Sequence, residues 1–134
     1  MDAPRWMRRH VKRCRAAFGI AHAGFDLTVV LTDVVDNDPD CVGLTTTSVP
    51  YDRAEVTLRR DVVNNPDRYE IITHELLHAA TGPQREALDR ILDLVPKKHR
   101  THAEELWMTG NEATITRIAR ALTPLLRGAR GETP

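Results

Sequence analysis

The sequence lacks several features that would identify a particular class of protein. It has two cysteines, Cys14 and Cys41, which are too few for a disulfide framework. The formal net charge is zero, so the chain as a whole has no bulk attraction for nucleic acids or anionic membranes. No apolar run reaches the roughly 20 residues that span a membrane, and no signal-peptide core follows the basic N-terminus. These absences predict a soluble, cytoplasmic protein with reduced thiols and no membrane partner.

The composition is typical of a globular domain. Apolar residues make up 41% of the chain and charged residues 28%. The length predicts a single domain over residues 1–134, with a core from about residue 5 to 126 and a frayed C-terminal tail. The charges are unevenly distributed, because six cations lie between Arg5 and Arg15 whereas residues 26–75 are acidic. We interpret the basic segment as a solvated helix face and do not expect nucleic acid to be a partner.

The spacing of apolar residues predicts an α+β fold. Met7, Val11 and Cys14 recur at helical spacing, whereas the segment that follows is rich in β-branched residues. Pro66 suits the first position of a later helix, which Gly82 would end. Short turns between the strands favour a small, mostly antiparallel sheet. We predict helices over residues 4–18, about 66–80, 84–95 and about 111–126, strands over 25–35, 41–49 and 54–60, and a basic loop over 96–102.

The segment IITHELLHAATG contains the pattern H-E-x-x-H at His74, Glu75 and His78. In a helix, residues four apart lie on one face, so both imidazoles could reach one metal ion. Glu75 is rotated by about 100° from His74, which would place its carboxylate beside the metal as a general base. Three protein ligands and a water are the usual arrangement of a catalytic zinc ion. The motif therefore predicts a zinc site with Glu75 as the catalytic base.

The motif does not identify the third metal ligand. The extended pattern H-E-x-x-H-x-x-G-x-x-H fails, because Thr81 and Gln84 stand where its glycine and histidine would be. A glutamate from a later helix is the common alternative. Glu112 is our first choice, since it begins a helix with a strong apolar stripe and leaves a long return path. The other candidates are Glu86, Asp89, His99, His102 and, as its nearest rivals, Glu104 and Glu105.

With this pattern, the chain resembles the gluzincin-type zinc metallopeptidases in their smallest form, the minigluzincins, and compact H-E-x-x-H proteins encoded by phages. The resemblance covers residues 5–126 as an order of elements. It implies a minimal zincin-like domain, in which a backing helix is followed by a small sheet, the active-site helix and a C-terminal glutamate helix.

The resemblance also implies a role for each site residue. His74, His78 and Glu112 would bind Zn²⁺, and Glu75 would act as the general base. The chain departs from the family at Thr116, where the glutamate helix usually carries an aspartate that supports a ligand histidine.

In zincins, the substrate binds as an added antiparallel strand at one edge of the sheet. We expect the third strand, residues 54–60, to form this edge because it directly precedes the active-site helix. A group that stabilises the oxyanion is also expected near the metal. The candidates for that group are Tyr51, His99, His102 and Arg117.

These observations predict a zinc-dependent peptidase that hydrolyses peptide bonds in a peptide or protein substrate. The alternative is a metal-binding interaction or regulatory module with little turnover, which would use the basic N-terminal helix as its contact surface. A third option is a DNA-associated peptidase that contacts phosphates through residues 5–15, for which a steep salt dependence of DNA binding would be the sign. A structural zinc site has four protein ligands and no use for a base beside the metal. The presence of Glu75 therefore favours the enzyme.

Overall fold

The computed structural model describes residues 3–48 and 52–127, and all the elements named below lie within these ranges. The α+β class is confirmed. In the described ranges, no helix is long and apolar enough to cross a membrane. The elements in chain order are α1 (Arg5–Ala17), β1 (Asp26–Thr32), β2 (Gly43–Ser48), β3 (Arg53–Arg59), a 3-10 turn (Arg60–Asn64), α2 (Arg68–Ala80), α3 (Gly82–Leu92) and α4 (Lys97–Leu126).

The sheet is mixed rather than mostly antiparallel, so this part of the prediction was wrong. The strand order is β1-β3-β2, in which β3 is antiparallel to β2 but parallel to β1. The difference arises in the connection between β1 and β2. There, Asp36 and Asn37 both adopt a positive φ of 54°, and Val35 is fully buried. This anchored loop leads the chain away from β1, whereas a tight hairpin would have paired β2 with it.

β3 is the central strand, so the prediction that it forms the substrate-binding edge was also wrong. Its alternate residues Ala54, Val56 and Leu58 are at most 1% exposed. They belong to the face of the sheet that packs against the helices, while the intervening residues point to the other face. The strand at the edge nearest α2 is β2.

α1 packs against the back of α2 through apolar side chains and one buried polar link. His10 Nε2 lies 2.8 Å from Thr73 Oγ1 of α2, and the Thr73 hydroxyl donates to the Tyr69 carbonyl at 2.8 Å. Because that hydroxyl is used as a donor, His10 donates to Thr73. Burial raises the pKa of the neighbouring Cys14 thiol to about 11, so Cys14 is a neutral core residue at physiological pH.

α4 begins at Lys97, so the predicted basic loop at residues 96–102 was wrong. Pro96 occupies the N-cap position, and the KKHRTH segment that follows contains no helix breaker. The first half of α4 lacks a buried apolar stripe, which is the signal by which a helix is recognised in a sequence. The buried residues of α4 all lie in its second half: Ile115, Ala119 and Thr123.

Candidate metal centre

His74, His78 and Glu112 converge on one point between α2 and α4. His74 Nε2 lies 3.2 Å from Glu112 Oε2, and His78 Nε2 lies 2.7 Å from Glu112 Oε1. The two Nε2 atoms are 3.1 Å apart. Within residues 3–48 and 52–127, this is the group of histidine and carboxylate side chains that could hold a metal ion. The structure thus brings together the three residues proposed as ligands from the sequence.

The spacing of the three side chains suits a small metal ion. Four ligand atoms arranged tetrahedrally at about 2.0–2.1 Å from zinc are roughly 3.3 Å from one another. The distances of 2.7–3.2 Å between the Nε2 atoms and the Glu112 oxygens are slightly shorter than this. A small outward movement of the half-exposed Glu112 carboxylate would make room for the ion.

A small apolar cluster positions Glu112 opposite the histidines. Leu77 lies on α2 between the two histidines, and it packs against Ile115 and Ala119 of α4. These three residues are 7%, 2% and 0% exposed, respectively. Because Ile115 follows Glu112 by about one helical turn, this contact fixes the rotation of α4 that points the carboxylate at α2.

The environment of His78 favours the neutral imidazole. Burial lowers the pKa of His78, and the neighbouring His74 lowers it further, whereas the Glu112 carboxylate opposes this change. The neutral form is the one that binds a metal ion.

Glu75 lies beside the group but is not part of it. It is 6% exposed, and the Thr45 hydroxyl of β2 is shared between two acceptors of Glu75, the backbone carbonyl at 3.0 Å and Oε1 at 3.2 Å. Burial raises the pKa of Glu75 to about 7, with the nearby charge of Glu112 adding to the effect and the Thr45 hydrogen bond opposing it. Glu75 is therefore a buried carboxyl group that can gain or lose a proton near neutral pH.

Two glycines allow β2 and the helices to approach closely. A Cβ atom at Gly43 would lie 3.1 Å from Glu75 Cγ and 3.1 Å from Leu58 Cδ2. A Cβ atom at Gly82 would lie 3.0 Å from the Cβ of Thr47. Both contacts are tighter than ordinary van der Waals packing, so side chains at these positions would push β2 away from Glu75.

A cleft runs along β2 past the group formed by His74, His78 and Glu112. A cavity of about 450 Å³ lies on one side of His74 and Glu75, and a second of about 290 Å³ lies on the other. The smaller cavity also contains Thr116, so this threonine lies near His74, where the family resemblance implies an aspartate. The larger cavity is lined by residues 43–47 of β2 and by His74, Glu75, His78, Thr81, Gly82, Arg85, Trp107, Met108, Asn111 and Glu112.

The rival carboxylates lie elsewhere or have other partners. Arg85 binds Glu104 at 3.0 Å and Asp89 at 3.4 Å. Glu86 pairs with Arg90 at 2.9 Å. Glu105 is exposed on α4 and does not belong to the metal-ligating group of the described residues.

Three of the four proposed oxyanion stabilisers do not line the larger cavity. His99, His102 and Arg117 are exposed on α4 and are not among the residues that line it. Tyr51 lies outside the described residues.

Sequence reasoning missed two residues of the cleft, Thr45 and Arg85. Thr45 belongs to a run of three threonines, and nothing in the sequence distinguishes it as the partner of Glu75. Arg85 follows His78 and Thr81 at helical spacing. However, the intervening glycine and proline indicated the end of a helix, so Arg85 was not expected to line the same cleft.

The chain matches no protein-family model, no curated protein and no solved structure.

Proposed function

We propose that this protein is a zinc-dependent peptidase in which Glu75 is the general base. The proposal depends on one observation, which is the convergence of His74, His78 and Glu112 beside a buried glutamate in an open cleft. Two imidazoles and one carboxylate are a common ligand set of catalytic zinc, and they leave a fourth position for water or substrate. When bound, zinc would polarise a substrate carbonyl and lower the pKa of a water molecule to near neutrality.

Glu75 is suited to transfer a proton in both directions. Its pKa of about 7 in the metal-free protein shows that the site tolerates the protonated form, and the positive charge of bound zinc would lower this pKa and favour the carboxylate. As a carboxylate, Glu75 would accept a proton from the attacking water. As a carboxylic acid, it would then donate that proton to the leaving amine. Thr45 restricts the carboxyl group through its 3.2 Å hydrogen bond to Oε1.

β2 supplies an edge on which a peptide can bind as a further strand. Arg59 N donates to the Val42 carbonyl at 2.9 Å, and hydrogen-bonded pairs alternate along an antiparallel ladder. In this register, the backbone N–H and C=O groups of Gly43, Thr45 and Thr47 point away from β3 towards the unpaired edge. These groups can therefore hydrogen-bond a substrate strand next to Glu75.

The direction of the substrate follows from that of β2. An antiparallel peptide would place its N-terminal part near Thr47, Arg85 and Trp107, and its C-terminal part near Gly43 and the smaller cavity. The guanidinium group of Arg85 is held by Glu104 and lies 5.9 Å from the centre of the Trp107 ring. Arg85 would thus donate to an oxygen atom on the N-terminal side of the scissile bond.

The test combines metal analysis with a peptidase assay on a denatured protein mixture. We expect about one zinc ion per chain in the wild type and in Glu75→Gln, but cleavage only by the wild type. The matched control is Glu86→Gln, which removes a carboxylate paired with Arg90 outside the cleft and should keep full activity. Equal cleavage by the Glu75→Gln variant would remove Glu75 from the mechanism. Zinc binding without cleavage by the wild type would instead favour the metal-binding interaction module.

A further inference from the structure

α1 carries an excess of positive charge that the rest of the molecule balances with an excess of negative charge. Its sequence RWMRRHVKRCRAA contains six cations and no acid. Because the whole chain has 19 cations and 19 acids, the residues outside α1 have 13 cations against 19 acids, a net charge of −6. A neutral protein with such a separation has one strongly positive surface.

The exposed face of α1 forms a continuous basic row. Arg5, Arg8, Arg9 and Lys12 are all exposed and follow one another at intervals of three, one and three residues. They span about 10 Å along the helix axis, since each residue rises by about 1.5 Å. Within residues 3–48 and 52–127, no carboxylate forms an ion pair with Arg5, Arg8 or Lys12. Their charge is therefore not neutralised by that part of the chain.

From this surface, and against the expectation from the sequence alone, we propose that α1 binds the phosphate backbone of duplex DNA without reading its sequence. Three of the four cations in the row are arginines, whose planar guanidinium groups form paired hydrogen bonds with phosphate oxygens. The proposal concerns contacts to phosphate oxygens, which position a protein on the duplex and carry no sequence information.

The buried face of α1 argues against other anionic partners. Trp6, Met7, Val11 and Cys14 are at most 9% exposed, so α1 has no free apolar face for a lipid bilayer. Trp6 is also the only aromatic residue of this helix, and its burial leaves no ring on which single-stranded bases could stack. An acidic protein partner would normally need apolar or aromatic anchors at the contact, and this face has none.

DNA bound to α1 would leave the cleft accessible. α1 contacts α2 through the His10–Thr73 hydrogen bond, whereas His74 and His78 project from another side of α2 into the cleft. Duplex binding would thus bring the cleft to proteins that are themselves on DNA. The DNA-binding proposal does not depend on whether the cleft is catalytic.

The test is the binding of a fluorescent duplex of about 20 base pairs, measured by anisotropy between about 50 and 200 mM salt. With three to four phosphate contacts, the logarithm of the binding constant should fall with the logarithm of salt concentration at a slope of about −3. Affinity should then drop by about 60-fold over this range. The variant with Arg5, Arg8, Arg9 and Lys12 all changed to Gln should bind at least about 30-fold more weakly at the lower salt.

The matched control changes four exposed cations outside α1. The variant with Arg90, Lys97, Lys98 and Arg117 all changed to Gln loses the same charge and should bind within about threefold of the wild type. The single variants Arg5→Gln and Lys12→Gln should each reduce the slope by about 1, which keeps the test valid if the fourfold variant fails to fold. Absence of duplex binding by the wild type would overturn the proposal. Equal losses of affinity in the two quadruple variants would also overturn it. So would tighter binding of the wild type to anionic vesicles or to single-stranded DNA than to the duplex.

Discussion

The two sides of α2 differ in how their polar groups are satisfied. On the side that faces α1, Ile72 and Leu76 are fully buried, and the polar Thr73 has both a donor and an acceptor partner. On the cleft side, two imidazoles lie 3.1 Å apart and the Glu75 carboxyl group is buried beside them. The first side is a packed core, whereas the second brings together groups that repel or desolvate one another when ionised.

This difference indicates that the packed side holds the cleft side in place. The close histidines and the buried carboxyl group are costly arrangements in the absence of a ligand. They persist because Leu76 and Ile72 fix the helix, and because Leu77 with Ile115 fixes α4. The packing on one side therefore stabilises the fold and holds in place the candidate metal-binding side chains on the other.

The largest expected effect is a difference in unfolding free energy between substitutions on the two sides of α2. Leu76→Ala should lower the free energy of unfolding of the metal-free protein by about 2–5 kcal/mol, because it leaves a cavity in the core. His74→Ala on the cleft side should change it by less than about 1 kcal/mol. Chemical denaturation of both variants in the presence of a chelator measures this contrast. Leu94→Ala, at a residue that is 85% exposed, serves as the control. Similar losses in the two test variants would contradict the assignment of separate roles.

The second-largest expected effect is a pH dependence of folding stability, which arises from Glu75 on the cleft side. The pKa of Glu75 is about 7 in the folded protein, against an ordinary value of 4.5. Between these pH values, the folded metal-free protein binds more protons than the unfolded chain, so its stability should fall as pH rises from about 4.5 to 7. The decrease should be on the order of 2–3 kcal/mol. The lowered pKa of His78 acts in the opposite direction in both the wild type and Glu75→Gln. The decrease is therefore measured as the difference in stability between these two proteins across this pH range.

The smallest effect tests the close approach of β2 to Glu75. Gly43→Ala should cost about 1–2 kcal/mol in stability and reduce peptidase activity, because its Cβ would displace the Glu75 side chain. Zinc binding should not change, since the three heavy atoms nearest to the added Cβ belong to Glu75 and Leu58. Gly110→Ala is the control, because no heavy atom lies within 4 Å of its added Cβ and alanine favours a helix. Full activity of Gly43→Ala would show that the contact does not position Glu75.

The sequence predicted which side chains converge in the cleft better than it predicted the sheet. His74 and His78 are four residues apart on one helix, so local geometry alone places them together. Glu112 could be chosen only as a candidate, because its distance from the histidines depends on how Ile115 and Ala119 pack against Leu77. The apolar stripe that follows Glu112 favoured it over Glu104, which binds Arg85 instead, but this stripe does not fix where the carboxylate lies.

The errors in the sheet have a related cause. Strand pairing depends on contacts distant in sequence, and the turn at Asp36 and Asn37 gave no indication that β3 would lie between β1 and β2. The early start of α4 was missed because its first half packs little and has no apolar periodicity.

The most direct test of the central claim is the zinc affinity of Glu112→Ala beside that of Glu104→Ala, measured by competition with a chromogenic chelator. If His74, His78 and Glu112 form one metal site, Glu112→Ala should weaken zinc binding by more than about 100-fold, and Glu104→Ala should leave it unchanged. Wild-type affinity in the Glu112→Ala variant, or a comparable loss in the Glu104→Ala variant, would contradict the account.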